Sequence, residues 1–297
     1  MPKNRITIQQ VWRLLKTSFY EFFQEKSFIH GASLAYYTIV ALVPLLYLLF
    51  ISIGEILGQD QLISIVAAIA KEQIGIEDVS WLVDALKLVD LGAGNFVLQV
   101  VGIVVLAFSA SAIFSSLRTS LNDFFDIEVV QMKRAIFHNI LARLVAFLML
   151  TLVAVVVVVF YFLETAFVSF GADLFEGEFN GWLTFGIEHI TSLLSNTVIF
   201  LFVFKYLHDG IVEWGIAIRG SIFTAVLLYI GQLLIKYYLT NYFFAAGGGV
   251  VGTILVILAW MFYSSQIIFL GAKITMVYAR TIGRPIKPRS YVQPPLI

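Results

Sequence analysis

The chain has 297 residues, of which 60% are hydrophobic and 13% are charged. Soluble proteins hold roughly 45–50% apolar and about 25% charged residues, so this composition excludes an ordinary soluble domain. The net charge of zero gives no indication of nucleic-acid binding, and the absence of cysteine excludes disulfides, thiolate metal sites and thiol nucleophiles.

The N-terminal segment, residues 1–31, has the pattern of a basic amphipathic helix. Such a helix suits the cytoplasmic interface of an anionic membrane, and it equally suits packing on a helical bundle. The two interpretations are compatible. No cleavable signal peptide is expected, because the segment carries charges throughout and lacks a continuous apolar core. The apolar residues that recur at helical spacing are Ile8, Val11, Trp12, Leu15, Phe19, Phe22 and Phe23.

Membrane-spanning helices are predicted between residues 32 and 282. A helix needs about 20 mostly apolar residues to cross the hydrocarbon core. The sequence therefore predicts an all-α polytopic bundle of six transmembrane helices, with interfacial amphipathic helices, one or two of them in the outer loop 55–95. The loop 164–184 is acidic, and it is read as a solvated outer loop or as a lid. The six predicted spans are about 32–54, 96–117, 144–163, 185–204, 216–235 and 250–271.

The orientation follows from the distribution of basic residues. Lys and Arg accumulate in the cytoplasmic connections of membrane proteins. In the six-span arrangement, nearly all of the 19 basic residues fall on one side, the exceptions being Lys71, Lys87 and Lys236. The prediction is that both chain ends lie in the cytoplasm. The tail 283–297 is basic and rich in proline, which predicts an extended or disordered segment.

Polar side chains within the spans are costly in hydrocarbon, so they are the first candidates for function. In the fourth span, Glu188 and Ser192 share a helix face that His189 and Asn196 continue, forming a polar stripe from the outer leaflet inward. A Glu beside a His could relay protons. The alternative is an interfacial pair, with the hydroxyls bonded back to the helix backbone.

Three other features mark the first and last spans. Pro44 removes a backbone hydrogen bond and is predicted to kink the first span beside Tyr36 and Tyr37. Gln266 lies deep in the last span and needs a partner from another helix. Lys273 lies near the cytoplasmic end, where it is predicted to extend its ammonium group to the headgroups. The candidate pathway-lining residues are thus Tyr36, Tyr37, Pro44, Glu188, His189, Ser192, Asn196 and Gln266.

Metal and cofactor chemistry are not expected. Metal sites need ligands at close and regular spacing. The four histidines are scattered through the chain, at His30, His138, His189 and His208. We therefore predict no metal, no cofactor and no enzymatic activity.

Two motifs resemble those of the YihY/BrkB family of bacterial integral membrane proteins. The first is Gly31-Ala-Ser-Leu-Ala-Tyr-Tyr-Thr38 followed by Pro44, and the second is Trp260-Met-Phe-Tyr-Ser-Ser-Gln266 leading into Gly271-Ala272. The resemblance implies a multi-pass protein of the bacterial inner membrane, for which transport or export is the usual suggestion. Family members usually have an acidic residue where this chain has Lys273. Some relatives carry a ribonuclease label, which the short cytoplasmic loops do not support.

Three functional hypotheses follow, and the sequence does not name a substrate. The first is a transporter or exporter of an unidentified small molecule, lipid-like or amphiphilic. The second is a membrane scaffold or envelope-integrity protein without turnover. The third, a membrane-embedded enzyme, has only Glu188 and His189 as a candidate pair. The expected partner is the lipid bilayer, not nucleic acid, and the oligomeric state is left open.

Overall fold

The structure is a computed structural model that describes residues 7–52, 58, 64, 96–127, 155–156, 159–160, 162–163, 166–167, 178–238 and 249–289. The described residues are mostly helical, which confirms the predicted all-α class. The loop 55–95 and the third predicted span, 144–163, lie largely outside them. In chain order the elements are α1 (Ile8–Gln24), α2 (Ser27–Ser52), α3 (Phe96–Phe124), α4 (Glu178–Tyr206), β1 (Gly210–Ile211), α5 (Trp214–Tyr238), α6 (Gly249–Thr281) and β2 (Lys287–Pro288).

Three helices of the described part are long and apolar enough to cross a membrane. They are Gly181–Tyr206 within α4, Trp214–Ile235 within α5 and Ile254–Thr281 within α6. These correspond to the fourth, fifth and sixth predicted spans. The number of six spans and the orientation of the chain stay predictions.

Several helices continue beyond the predicted spans. Helix α3 ends at Phe124 instead of residue 117, and α6 ends at Thr281 instead of residue 271. An apolar run locates the hydrocarbon, whereas the helical hydrogen bonds continue through the polar turns beyond it. The helices are therefore longer than the spans predicted within them.

The spans expose large apolar side chains. Val104 and Phe108 on α3, Ile190 on α4 and Ile230 on α5 are among the exposed residues. A soluble protein rarely exposes apolar surface on this scale, whereas lipid tails solvate it without cost. This surface agrees with a membrane protein.

The chain divides into two compact units. The first comprises Met1–Ser27, Leu117–Tyr229 and Ile267–Ile297, and the second comprises Phe28–Ser116 and Ile230–Gln266. The first unit brings together segments that the sequence predicts to be cytoplasmic, namely α1, the end of α3, the turn after α4 and the end of α6.

Aromatic rings form a core of the first unit. Phe124 stacks on Phe269, with ring centroids 4.7 Å apart, and lies 5.8 Å from Phe22. Phe125 contacts Phe204 edge to face at 5.9 Å. All five rings are buried. Aromatic pairs of this geometry contribute beyond the area they bury, so they fix α1, α3, α4 and α6 together.

Helices α5 and α6 meet through two reciprocal pairs of Gly and Thr. A Cβ atom on Gly220 would lie 2.0 Å from Oγ1 of Thr275, and one on Gly271 would lie 1.9 Å from Oγ1 of Thr224. Each hydroxyl also donates to the carbonyl of the glycine four residues earlier on its own helix, at 2.8 Å from Thr224 and 2.6 Å from Thr275. Small residues at this spacing let two helices approach closely in a membrane.

A two-residue antiparallel pairing joins the turn after α4 to the segment after α6. Gly210 pairs with Pro288 and Ile211 with Lys287, and the Arg289 N–H donates to the Asp209 carbonyl at 2.8 Å. The predicted tail 283–297 begins in the turn that ends α6, and its residues 287 and 288 form β2. Residues 290–297 lie outside the described part.

Candidate functional site

The predicted polar stripe lies on α4, within the first unit. Glu188 is exposed, whereas His189, Ser192 and Asn196 are half-buried. The His189 ring lies 3.8 Å from that of Phe185 and 5.7 Å from that of Tyr229 on α5, measured between centroids. Among the described residues, no hydrogen bond or ion pair joins Glu188 to His189. The proton relay stays a prediction, and His189 packs against aromatic rings.

Two buried polar atoms near this stripe have no hydrogen-bond partner among the described residues. They are Nδ2 of Asn196 and Oη of Tyr229. The hydroxyl of Thr197, by contrast, donates to the carbonyl of Leu193 at 2.7 Å. A buried donor is costly unless water, another side chain or a ligand bonds it. The unsatisfied atoms make the interior side of α4 a candidate polar binding surface.

The candidates of the first span lie on α2. Tyr36 is 64% exposed, Tyr37 is half-buried, and the two rings meet edge to face at 5.6 Å. Pro44 lies inside α2, which is assigned as one helix over Ser27–Ser52. Its side chain lies outside the described part, so the kink stays a prediction.

Gln266 brings the two sequence motifs together in the second unit. Its Nε2 lies 2.1 Å from where a Cβ on Gly31 would be, so a larger residue at position 31 would require the Gln266 amide to move. One turn away, Phe28 and Phe262 stack with centroids 6.1 Å apart. The start of α2 and the middle of α6 are therefore in direct contact. Gln266 thus packs against α2, and the polar partner that it is predicted to need stays a prediction.

Lys273 forms an ion cluster that the sequence analysis did not predict. Its side chain is only 1% exposed, and its Nζ lies 2.7 Å from Asp126, 3.3 Å from Glu25 and 3.9 Å from Glu21. Arg280 extends the cluster with an ion pair to Glu21 at 2.5 Å. The prediction that Lys273 reaches the headgroups is wrong, because three carboxylates within the first unit compensate the ammonium group.

The turn that ends α3 positions Asp126 next to Lys273. Asp126 has a φ of 54°, in the left-handed region, and the Ile127 N–H donates to the Asn122 carbonyl at 2.8 Å. This is the hydrogen bond of a helix-ending turn that usually carries glycine. Asp tolerates the conformation better than most residues, and here its carboxylate also bonds Lys273.

A second cluster surrounds Asp209, which is buried in the turn after α4. Asn122 donates to Oδ2 of Asp209 at 2.8 Å and accepts its backbone N–H at 2.8 Å. Arg118 binds both carboxylate oxygens, with its Nε 3.1 Å from Oδ2. Such a bidentate pair is stronger and better oriented than a single ion pair. The cluster fixes α3 to the loop between α4 and α5.

His208, beside this cluster, is held as one neutral tautomer. Its Nδ1 accepts the Gly210 N–H at 2.9 Å, so the proton must be on Nε2, which donates to the Phe204 carbonyl at 2.7 Å. The ring also packs on Phe125, with centroids 4.4 Å apart. Burial lowers the pKa of His208 from 6.5 to about 4, and the Phe204 carbonyl opposes this shift.

This pKa predicts that acid destabilises the folded chain. The unfolded chain binds a proton near pH 6.5, before folded His208 does, so the contribution of neutral His208 is complete above that pH. This contribution to the free energy of unfolding is lost as the pH falls toward about 4. The shift of the His208 pKa from 6.5 to about 4 corresponds to about 3 kcal/mol, at 1.36 kcal/mol per pKa unit. Melting temperatures in detergent between pH 7.5 and 5 should fall for the wild type and fall less for His208→Gln. Equal slopes would contradict the assignment.

The family comparison covers nearly the whole chain. The family model described as Virulence factor BrkB matches residues 18–293. The chain belongs to the BrkB family. Comparison with curated proteins and with solved structures gave no match. Membership confirms the resemblance based on the two motifs, and the BrkB match includes Glu21 and Glu25 as well as Lys273.

The residues that the sequence analysis missed share one recognisable signal. The predicted cytoplasmic side is rich in Lys and Arg, so its few acidic residues are unusual. Among them, Glu21, Glu25 and Asp126 bind Lys273, and Asp209 binds Arg118. Acidic residues on the basic side of a BrkB protein were therefore the positions to test for ion pairs. Within the described residues, no group of His, Cys, Asp and Glu could hold a metal ion.

Proposed function

We propose that this BrkB protein is a multi-pass transporter or exporter of the bacterial inner membrane, acting on a lipid-like or amphiphilic substrate without changing it chemically. The observation that carries the proposal is the pair of buried, unsatisfied polar atoms, Nδ2 of Asn196 and Oη of Tyr229. A protein that only fills the membrane would gain stability by replacing them with apolar groups. A substrate headgroup or water moving past α4 would satisfy them.

The surface of α4 favours an amphiphile over a fully polar substrate. The half-buried positions His189, Ser192 and Asn196 recur at helical spacing, and Ile190 and Leu194 beside them are 61% and 51% exposed. A headgroup could follow the polar positions while its tail stays in the surrounding lipid. During such transport the polar headgroup would not have to enter hydrocarbon, which is costly, and the acyl tail would not have to enter the protein.

The aromatic ring beside His189 adds to this argument. The Phe185 ring packs on the imidazole at a tilt of 44°, and Tyr229 approaches it from α5. Aromatic faces bind cationic headgroups, and a hydroxyl or amide binds phosphate oxygens. Phospholipids are therefore the first substrates to test.

The test is a headgroup-labelled phospholipid assay in proteoliposomes. Phosphatidylethanolamine with a fluorescent headgroup is quenched by dithionite only in the outer leaflet, so wild-type protein should expose the inner-leaflet label. Asn196→Leu should slow this exposure about tenfold, the effect of losing about 1.4 kcal/mol at the barrier. If half of the label stays protected from dithionite in vesicles that contain wild-type protein, transport of this lipid is ruled out.

Thr197→Val is the matched control. Thr197 is the neighbour of Asn196 on α4, and its hydroxyl is already bonded to the Leu193 carbonyl. Its loss should leave the exposure rate unchanged. If both variants slowed the rate equally, α4 packing would be responsible and the assignment of Asn196 would fail.

The alternative is a scaffold without turnover, and one observation favours it. Hydroxyls along the spans bond back to their own helices, as Ser265 does to Met261 at 2.7 Å and Ser221 to Ala217 at 2.7 Å. Such groups need no substrate. If the protein is a scaffold, Asn196→Leu should be tolerated, whereas a larger residue in place of Gly220 should not be.

A further inference from the structure

Helix α1 has two faces of opposite character. One face is buried in the first unit through Leu14, Ser18 and Phe22. On the other face, Trp12 is 72% exposed and Phe19 is 47% exposed. A helix that packed only against its own chain would not need a ridge of aromatic residues on its outer side.

The charges of α1 divide in the same way. Arg13 and Lys16 are exposed, next to the aromatic ridge in helical projection. Glu21 and Glu25 point instead to Lys273 of α6. The outer face is therefore aromatic and basic, while the acidic residues are used for contacts within the protein.

The position of α1 places this face at a membrane boundary. Lys273 and Arg280, which bind Glu21, lie in the last turns of α6, one of the helices long and apolar enough to cross a membrane. Only Glu25 and Lys26 separate α1 from α2. The level at which a spanning helix ends is the level of the headgroups, where Trp and Tyr concentrate.

We propose that the exposed face of α1 binds anionic headgroups of the membrane in which the protein lies. Trp12, Phe19 and Tyr20 would enter the boundary between headgroups and acyl chains, with Arg13 and Lys16 on phosphate groups. Anionic lipid is the occupant that complements both the aromatic ridge and its flanking cations. This inference does not depend on transport.

The chain contains no cysteine, so single labels can test the proposal in the full-length protein. A nitroxide at Phe19→Cys is compared in nanodiscs of phosphatidylcholine with and without phosphatidylglycerol. The label should become accessible to oxygen and shielded from a water-soluble nickel complex when phosphatidylglycerol is present. A matched label at Gln10→Cys, exposed on the side of α1 opposite Phe19 in helical projection, should stay accessible to nickel in both discs.

Charge reversal separates lipid binding from other occupants. Each cation near an anionic surface strengthens binding about fivefold, so Arg13→Glu with Lys16→Glu should lower the ratio of bound to released α1 at least about 25-fold. The Phe19→Cys label should then regain nickel accessibility. Equal nickel accessibility in both lipids would overturn the proposal, as would spin–spin broadening between copies in liposomes, which would assign the face to a second copy of the chain.

Discussion

Replacing Lys273 with Glu should destabilise the protein by about 3–5 kcal/mol, the range for leaving buried charge uncompensated. The variant would place a fourth carboxyl group beside Glu21, Glu25 and Asp126 at a position that is 1% exposed. Thermal unfolding in detergent micelles measures the effect. The result is informative because the resemblance to the BrkB family implies an acidic residue at this position.

Two further variants make the prediction specific. Combining Lys273→Glu with Asp126→Lys exchanges the charges of the closest pair and should recover a large part of the lost stability. Arg284→Ala removes an ion pair with Glu213 in which both side chains are more than half exposed, so it should cost less than about 1 kcal/mol. Similar losses for Arg284→Ala and Lys273→Glu would show that burial of Lys273 is not what matters.

The second large effect is expected at the contact between α5 and α6. Gly220→Ala would place a methyl group 2.0 Å from Oγ1 of Thr275, and overpacking of this kind typically costs about 1–3 kcal/mol. Gly220→Leu should prevent the approach altogether. The amount of folded protein after detergent extraction, together with its melting temperature, measures both variants.

Two further substitutions in α5 and α6 serve as a control for Gly220→Ala and as a test of its rescue. A Cβ on Gly215, in the first turn of α5, would meet nothing within 4 Å, so Gly215→Ala should be neutral or stabilising. Thr275→Gly in the Gly220→Ala background removes the clashing side chain and should restore stability in part. Failure of the double variant to improve on Gly220→Ala would mean that the two helices are not in contact at this point.

The sequence predicted the coarse fold because hydropathy alone determines which segments suit a bilayer. The apolar runs identified α4, α5 and α6, and two short motifs identified the family. Those motifs also contain Gly31 and Gln266, which turn out to contact each other. The sequence could not reveal that contact, because it depends on the rotation of two helices separated by more than 200 residues.

The site was predicted less well, and Lys273 shows why. A lysine near the end of a span is equally consistent with reaching toward water and with an internal ion pair, because both depend on what surrounds it. The surrounding carboxylates come from α1 and from the turn after α3, which is far away in sequence. His208 was noted only as an isolated histidine, since its two partners are backbone groups that carry no sequence signal.

The short pairing of β1 with β2 has a mechanical consequence. Gly210–Ile211 and Lys287–Pro288 flank α5 and α6 in the chain, so their hydrogen bonds close these helices into a loop. If the C-terminus were pulled, force would load this pairing and the Arg289–Asp209 bond before it reached α6. A pulling force on the tail would therefore have to separate β1 from β2 before it acted on α6.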